Sequence, residues 1–265
     1  MIFLSFTLPL VAIASMVFFT RMNWTANNFL QQSIPYSIGV FVLYSYIIFA
    51  IFSPWDNDLF SGISIIYLIG IWLIGLIDDV IGDRSPKGLK GHIYQFIRAG
   101  VFSTGLLKLT GTLMLTFFWL YLIEPVSLEQ WIRYSLILIL TPHVMNLFDT
   151  RPLRVWKVSL LHVAIFIPYV VVNVSFSYYL FLLTFLFIFY VLEGHAVAML
   201  GDNGATLVGG IIAIITISYA PIHQQYIMVL LLVLLTVVAE RISITKWIEK
   251  HPLMKIVDRW GLSEK

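Results

Sequence analysis

The chain has 265 residues, 60% of them hydrophobic and only 11% charged, with a net charge of +2 and no cysteine. A mean hydropathy of +0.92 excludes an ordinary soluble domain, and the missing cysteines exclude disulfides, thiolate nucleophiles and Cys-based metal sites. What charge there is follows the ends of apolar runs, which argues against nucleic-acid binding.

Nine apolar runs predict an all-α, polytopic membrane helix bundle: roughly 2–20, 34–54, 60–77, 101–123, 131–148, 158–173, 176–193, 205–220 and 225–242. No barrel-like alternation of short segments competes with helices. The first run contains Ala12-Ile13-Ala14, which imitates a cleavage site, but it lacks a basic leader and reads as a retained span. The third ends in IDDVIGDRSPKGLKGH, Ile77 to His92, which gathers Asp78, Asp79, Asp83, Arg84, Lys87 and Lys90 in a chain with little charge to spare. The fourth carries Lys108, a costly residue at mid-bilayer. An interfacial helix near 92–107 followed by a short span, with Lys108 snorkelling to the headgroups, resolves that cost. The fifth closes on NLFDTRPLRVWK, Asn146 to Lys157, and the seventh leads into GHAVAMLGDNGATLVGG, Gly194 to Gly210. Residues 1–242 thus form one membrane domain. The tail, 243–265, interleaves Trp247, Ile248, Leu253, Ile256, Val257 and Trp260 with cations. It reads either as amphipathic helix on the inner leaflet or as a segment packed on the neighbouring loops.

Positive residues mark the cytoplasmic side. With nine spans, one set of loops holds Arg21, then Arg84, Lys87, Lys90 and Arg98, then Arg151, Arg154 and Lys157, then the basic tail, while the other holds only Arg133. This predicts an integral cell-membrane protein with its N-terminus outside and its C-terminus cytoplasmic. All three polar clusters then meet at the cytoplasmic face.

Carboxylates offer hard oxygen ligands to Mg2+, which takes one or two of them together with waters and substrate phosphates. Arg and Lys grip phosphate oxygens. The combination suits phosphoryl transfer, which depends on positioning and charge neutralisation. Each motif alone has a plainer explanation. Asp78 and Asp79 end a helix in solvent, Arg84, Lys87 and Lys90 hold headgroups, Asp149 closes a span, and Asp202 or Asn203 caps a helix. Gly209 and Gly210 permit close helix contact, and His92 and His195 are polar loop residues.

Taken in order, the motifs resemble the polyprenyl-phosphate N-acetylhexosamine-1-phosphate transferases, the family of phospho-N-acetylmuramoyl-pentapeptide transferase. GLIDDVIG, Gly75 to Gly82, is similar to the family's Asp-Asp motif; NLFD, Asn146 to Asp149, to its Asn-Leu-x-Asp motif; and MLGDNGATLVGG, Met199 to Gly210, to its Gly-Asp-x-Gly-Ser segment, with Ala205 in place of Ser. The resemblance implies a Mg2+-dependent reaction (Mn2+ as the alternative ion) of a UDP-sugar with undecaprenyl phosphate, a homodimer, and a role in cell-wall or other envelope polymer synthesis. It makes Asp149 and Asp79 metal ligands and Asp78, Asp79 and Asp149 the catalytic group. Asn146, Asp202 and Asn203 then contact substrate, and the chemistry of cations adds Lys87, Lys90 and Arg151 as phosphate clamps. The chain departs from the pattern in three places. Asp149 is followed by Thr-Arg-Pro-Leu instead of Gly-x-Asp-Gly, only His251 stands where a late His-rich motif is expected, and the family's tenth span is missing. Two other readings stay open: a non-catalytic member that binds the polyprenyl carrier as a membrane scaffold, and a lipid or solute transporter. The transporter reading expects acids at mid-bilayer in broken helices, whereas these acids lie at span ends.

Overall fold

In hydrocarbon the helix satisfies its own backbone amides, and the apolar runs form helices in the computed structural model, which describes residues 1–52, 61–82, 98, 100, 103–170 and 175–262. In chain order these are α1 (Ile2–Ser5), α2 (Thr7–Arg21), α3 (Ile38–Ile51), α4 (Gly62–Ile81), α5 (Thr104–Ile123), α6 (Leu128–Phe148), α7 (Arg154–Val170), α8 (Phe176–Gly194), α9 (Gly201–Tyr219), α10 (Ile222–Ala239), α11 (Ile244–Lys250) and α12 (Pro252–Arg259). Between α2 and α3 lies an antiparallel hairpin of β1 (Thr25–Asn27) and β2 (Ser33–Pro35), with Ala26 opposite Ile34.

Among the described residues, six helices are long and apolar enough to cross a membrane: Ile2–Arg21 taken together, α4, α5, α8, α9 and α10. The chain is an all-α bundle of membrane type. Large apolar side chains such as Leu10, Met114, Leu183 and Leu230 stand exposed around its outside, as contact with lipid requires.

Helix starts are set by local chemistry. The hydroxyls of Ser61, Ser103 and Ser127 accept the amides of Ser64, Leu106 and Gln130 at the heads of α4, α5 and α6. The fourth predicted span begins at Thr104. The helix expected at 92–107 is therefore not continuous, since Gly100 and Ser103 are non-helical and Gly100 has φ +66°; residues 92–97 lie outside the described residues.

Helix α9 is the axis of the bundle. It is buried along most of its length and packs on α3, α4 and α6. Its sequence explains the closeness. A Cβ on Gly209 would sit 2.5 Å from Cα of Pro142 in α6, and one on Gly75 of α4 would sit 2.6 Å from Cα of Asn203. Small residues let backbones approach where lipid supplies no hydrophobic drive between helices. Tyr67 of α4 ties α4 to α6 by donating to the Leu138 carbonyl at 2.9 Å.

The helix ends sort into two levels. At one, Tyr178 in the first turn of α8 donates to the Phe52 carbonyl after α3, and Tyr226 near the start of α10 donates to Glu129 at the start of α6 at 2.5 Å. At the other end meet the C-terminal turns of α4, α6 and α8 and the N-terminal turns of α5, α7 and α9, and the described residues of the polar motifs gather there.

Candidate active site

The site grows from the Asp-Asp pair. Helix α4 extends through Ile81, so Asp78 and Asp79 belong to its last turn and not to a loop beyond it. They point to different partners. Asp79 Oδ1 accepts the backbone amide of Asp202 at 2.9 Å, and its Oδ2 accepts the Asn203 amide at 2.8 Å and Asn203 Nδ2 at 2.7 Å. Helix α9 starts at Gly201, in a left-handed turn with φ +68°, so Asp202 and Asn203 lie within its first turn and not ahead of it. The cap that the sequence suggested for one of them comes instead from Asp79, across two helices, where a carboxylate also complements the positive end of the helix dipole. Asn203 is fully buried and also donates to the Tyr36 carbonyl at 3.0 Å, which locks the hairpin exit to the same point.

Asp78 faces a cluster centred on Lys108. The Lys108 ammonium, on the second turn of α5, donates to Asp78 Oδ2 at 3.4 Å and more closely to Asp202 Oδ2. Asn146, in the last turn of α6, completes it: with its amide oriented to satisfy both neighbours, Nδ2 donates to Asp202 Oδ1 at 2.8 Å and Oδ1 accepts from Lys108 at 3.1 Å. Lys108 is only 19% exposed. It does not snorkel to headgroups as expected from sequence. Buried charge is tolerated when paired and hydrogen-bonded, and Asp78, Asp202 and Asn146 supply that pairing from three other helices.

Asp149 follows α6 directly, its amide bonded to the Met145 and Asn146 carbonyls, both at 3.2 Å. Its carboxylate makes no hydrogen bond to a described residue. Burial, then the carboxylates of Glu193, Asp202 and Asp79, push its acid well above the usual range, against the pull of Lys108. Glu193, at the end of α8 and 2% exposed, is turned to the same loop, where Oε2 accepts the Leu153 amide at 2.9 Å. That bond holds Leu153 at φ +63°, a left-handed conformation costly for a residue with a Cβ.

The loop after Asp149 is bound to the tail. Arg154 meets Asp258 through two parallel bonds, Nε to Oδ1 at 2.6 Å and Nη2 to Oδ2 at 2.9 Å, with the two side chains only 4% and 8% exposed. Arg154 Nη1 also donates to Thr150 and Thr245, and Arg151 pairs with Glu249 at 2.6 Å. The tail is therefore packed on the loops, one of the two alternatives its sequence allowed. It also means that Arg151, expected as a phosphate clamp, is held by a carboxylate of α11.

The structure thus brings together Asp78, Asp79, Asn146, Asp149, Asp202 and Asn203 at one end of the bundle and turns Arg151 toward the tail. Lys87 and Lys90 lie outside the described residues. Sequence reasoning missed Lys108 and Glu193 as members of the cluster. The signal was present in both, an ionisable residue inside or closing an apolar run, which marks a polar interior contact.

A divalent cation fits this chemistry. Among the described residues no three of Asp, Glu and His are grouped as a metal cage, yet Mg2+ seldom uses one and is satisfied by one or two carboxylates with water and phosphate. Among the described residues the cluster sets the carboxyl groups of Asp78, Asp79, Asp149, Asp202 and Glu193 beside the ammonium of Lys108, and the Asp149 carboxyl makes no hydrogen bond to a described residue. Comparison with models of protein families, with curated proteins and with solved structures finds no match in any of the three.

Proposed function

We propose that the chain is a membrane phosphotransferase that moves a sugar-1-phosphate, N-acetylated or not, from a UDP-sugar to undecaprenyl phosphate, with its active site at the cytoplasmic face of the cell membrane. The observation that carries the reading is the meeting of Asp78, Asn146 and Asp202 around Lys108, beside the open carboxylate of Asp149, at the end of an apolar bundle. Acids and a cation at a lipid boundary suit a reaction in which one phosphate belongs to a lipid and the other to a water-soluble nucleotide.

In this reading an oxygen of the lipid phosphate attacks the sugar-bearing phosphorus of the donor. The new P–O bond forms as the bond from that phosphorus to the bridging oxygen breaks, and UMP leaves with that oxygen and its electron pair. Asp149 would hold Mg2+, or Mn2+ in its place, and the ion would supply charge neutralisation for the donor diphosphate. Asp79, given as a second ligand by the resemblance, acts as a positioning residue, because its carboxylate holds the start of α9. Asp78 and Asp202 keep Lys108 charged and aimed, and Lys108 releases part of that contact to a phosphate oxygen as substrate enters. Asn146 fixes Asp202. A phosphate monoester near neutral pH needs little deprotonation, so positioning and electrostatics outweigh base catalysis.

The test is release of UMP from a panel of UDP-sugars by detergent-purified protein. Release that requires undecaprenyl phosphate and stops with EDTA supports the proposal, and release that ignores both overturns it.

One observation favours a second reading. Lys108 is already paired with both Asp78 and Asp202 from within the bundle, as the polar centre of a non-catalytic polyprenyl-phosphate-binding scaffold would be. Binding of undecaprenyl phosphate without UMP release from any donor would support it.

A further inference from the structure

The tail makes two kinds of contact, and only one is satisfied by the protein. Its described acids, Glu249 and Asp258, are both paired with the loop: Glu249 with Arg151, and Asp258 buried against Arg154. Lys157 Nζ adds bonds to the Val257 and Asp258 carbonyls at 2.9 and 2.8 Å, closing the C-terminal end of α12. With those acids consumed, Lys246, Lys250, Lys255 and Arg259 stand exposed and make no ion pair with a described residue.

On α12 and its C-cap, Leu253, Ile256, Val257 and Trp260 are 80%, 67%, 60% and 62% exposed. Their spacing of i, i+3, i+4 and i+7 puts them on one stripe, on the side of the helix away from the buried Asp258. A helix normally turns such a stripe into the protein; this one turns its acid in and its apolar stripe out. Helix α10, apolar enough to cross a membrane, ends at Ala239, and α11 begins at Ile244. The tail therefore leaves the bundle at the level where a bilayer has its headgroups.

We propose that α11 and α12 form an interfacial clamp whose apolar stripe enters an anionic lipid leaflet while the cations around it bind the headgroups. The occupant follows from charge complementarity, four exposed tail cations with no ion pair to a described residue beside an exposed apolar stripe, and from continuity with the end of a spanning helix. Through Arg154 and Arg151, the clamp fixes the loop after Asp149 relative to the leaflet. It stands whether or not the reaction proposed above is the right one.

The chain has no cysteine, so a single introduced one labels uniquely. Full-length Leu253→Cys, Ile256→Cys and Lys255→Cys, each carrying a nitroxide, are placed in nanodiscs of phosphatidylcholine alone or with phosphatidylglycerol. Collision with oxygen is compared with collision with an aqueous nickel chelate. Labels at 253 and 256 are expected to show an oxygen-to-nickel ratio several-fold above that at 255, and the excess is expected to grow with phosphatidylglycerol. A ratio at 253 and 256 equal to that at 255 overturns the proposal, as does burial indifferent to lipid charge. Protection of 253 and 256 from oxygen and nickel alike also overturns it, because protein then covers the stripe.

Discussion

Replacing Asp79 by Asn separates a positioning role from a direct one. In the wild type three donors converge on the Asp79 carboxylate, the amides of Asp202 and Asn203 and the side-chain amide of Asn203, at 2.7–2.9 Å. Hydrogen bonds to a charged group contribute about 1.5–3 kcal/mol each, and a buried donor left unmatched costs about 1–3 kcal/mol. Asn keeps one acceptor oxygen but presents an NH2 where the second oxygen received donors. At least one donor at the buried head of α9 is then unsatisfied. Relief of repulsion between Asp79 and Asp202 returns part of this, and the net loss is expected at about 3–5 kcal/mol. At roughly 2–4 °C per kcal/mol for a chain of this size, the melting temperature should fall by about 6–20 °C. The assay is thermal unfolding in detergent, followed by intrinsic fluorescence, beside Asp149→Asn. Asp149 makes no side-chain hydrogen bond to a described residue and Asn is nearly isosteric with it, so its variant breaks no described contact and should melt within about 2 °C of wild type. An Asp79→Asn protein as stable as wild type would refute the assignment of Asp79 as the cap of α9.

Lys108→Met leaves Asp78 and Asp202 without their ammonium and should cost about 3–5 kcal/mol. Part of the lost melting temperature should return on adding Mg2+, and a melting curve indifferent to Mg2+ would argue against a cation site among these acids. Gly75→Ala drives a methyl group into the Asn203 backbone, where nothing flexible gives way, and a loss of about 1–3 kcal/mol should appear in the same melt. Asp258→Ala strands the Arg154 guanidinium, again at about 3–5 kcal/mol; because the pair joins tail to loop, the first sign should be faster tryptic cleavage at Lys250 and Lys255, read by mass spectrometry.

Hydropathy made the helical class legible, and the site was legible as a set of motifs, because scarce charges in an apolar chain mark polar contacts wherever they fall. Which contact each makes was not legible. Asp78 and Asp79 are adjacent in sequence, yet the rotation of about 100° between successive helical positions sends the first to Lys108 and the second to the head of α9. Lys108 read as a cost to be relieved by snorkelling, since its partners Asp202 and Asn146 lie 94 and 38 positions along the chain and only packing brings them close. The tail's direction was hidden for the same reason: periodicity locates an apolar stripe, but the Arg154–Asp258 pair decides which way it points.

The most direct measurement is formation of a lipid-extractable product from undecaprenyl phosphate, Mg2+ and labelled UDP-sugars by wild type and by Asp149→Asn protein of matched melting temperature. The account predicts labelled lipid from the wild type and none above background from the variant. Equal product from both proteins would contradict it, because the open carboxylate of Asp149 would then have no part in the reaction.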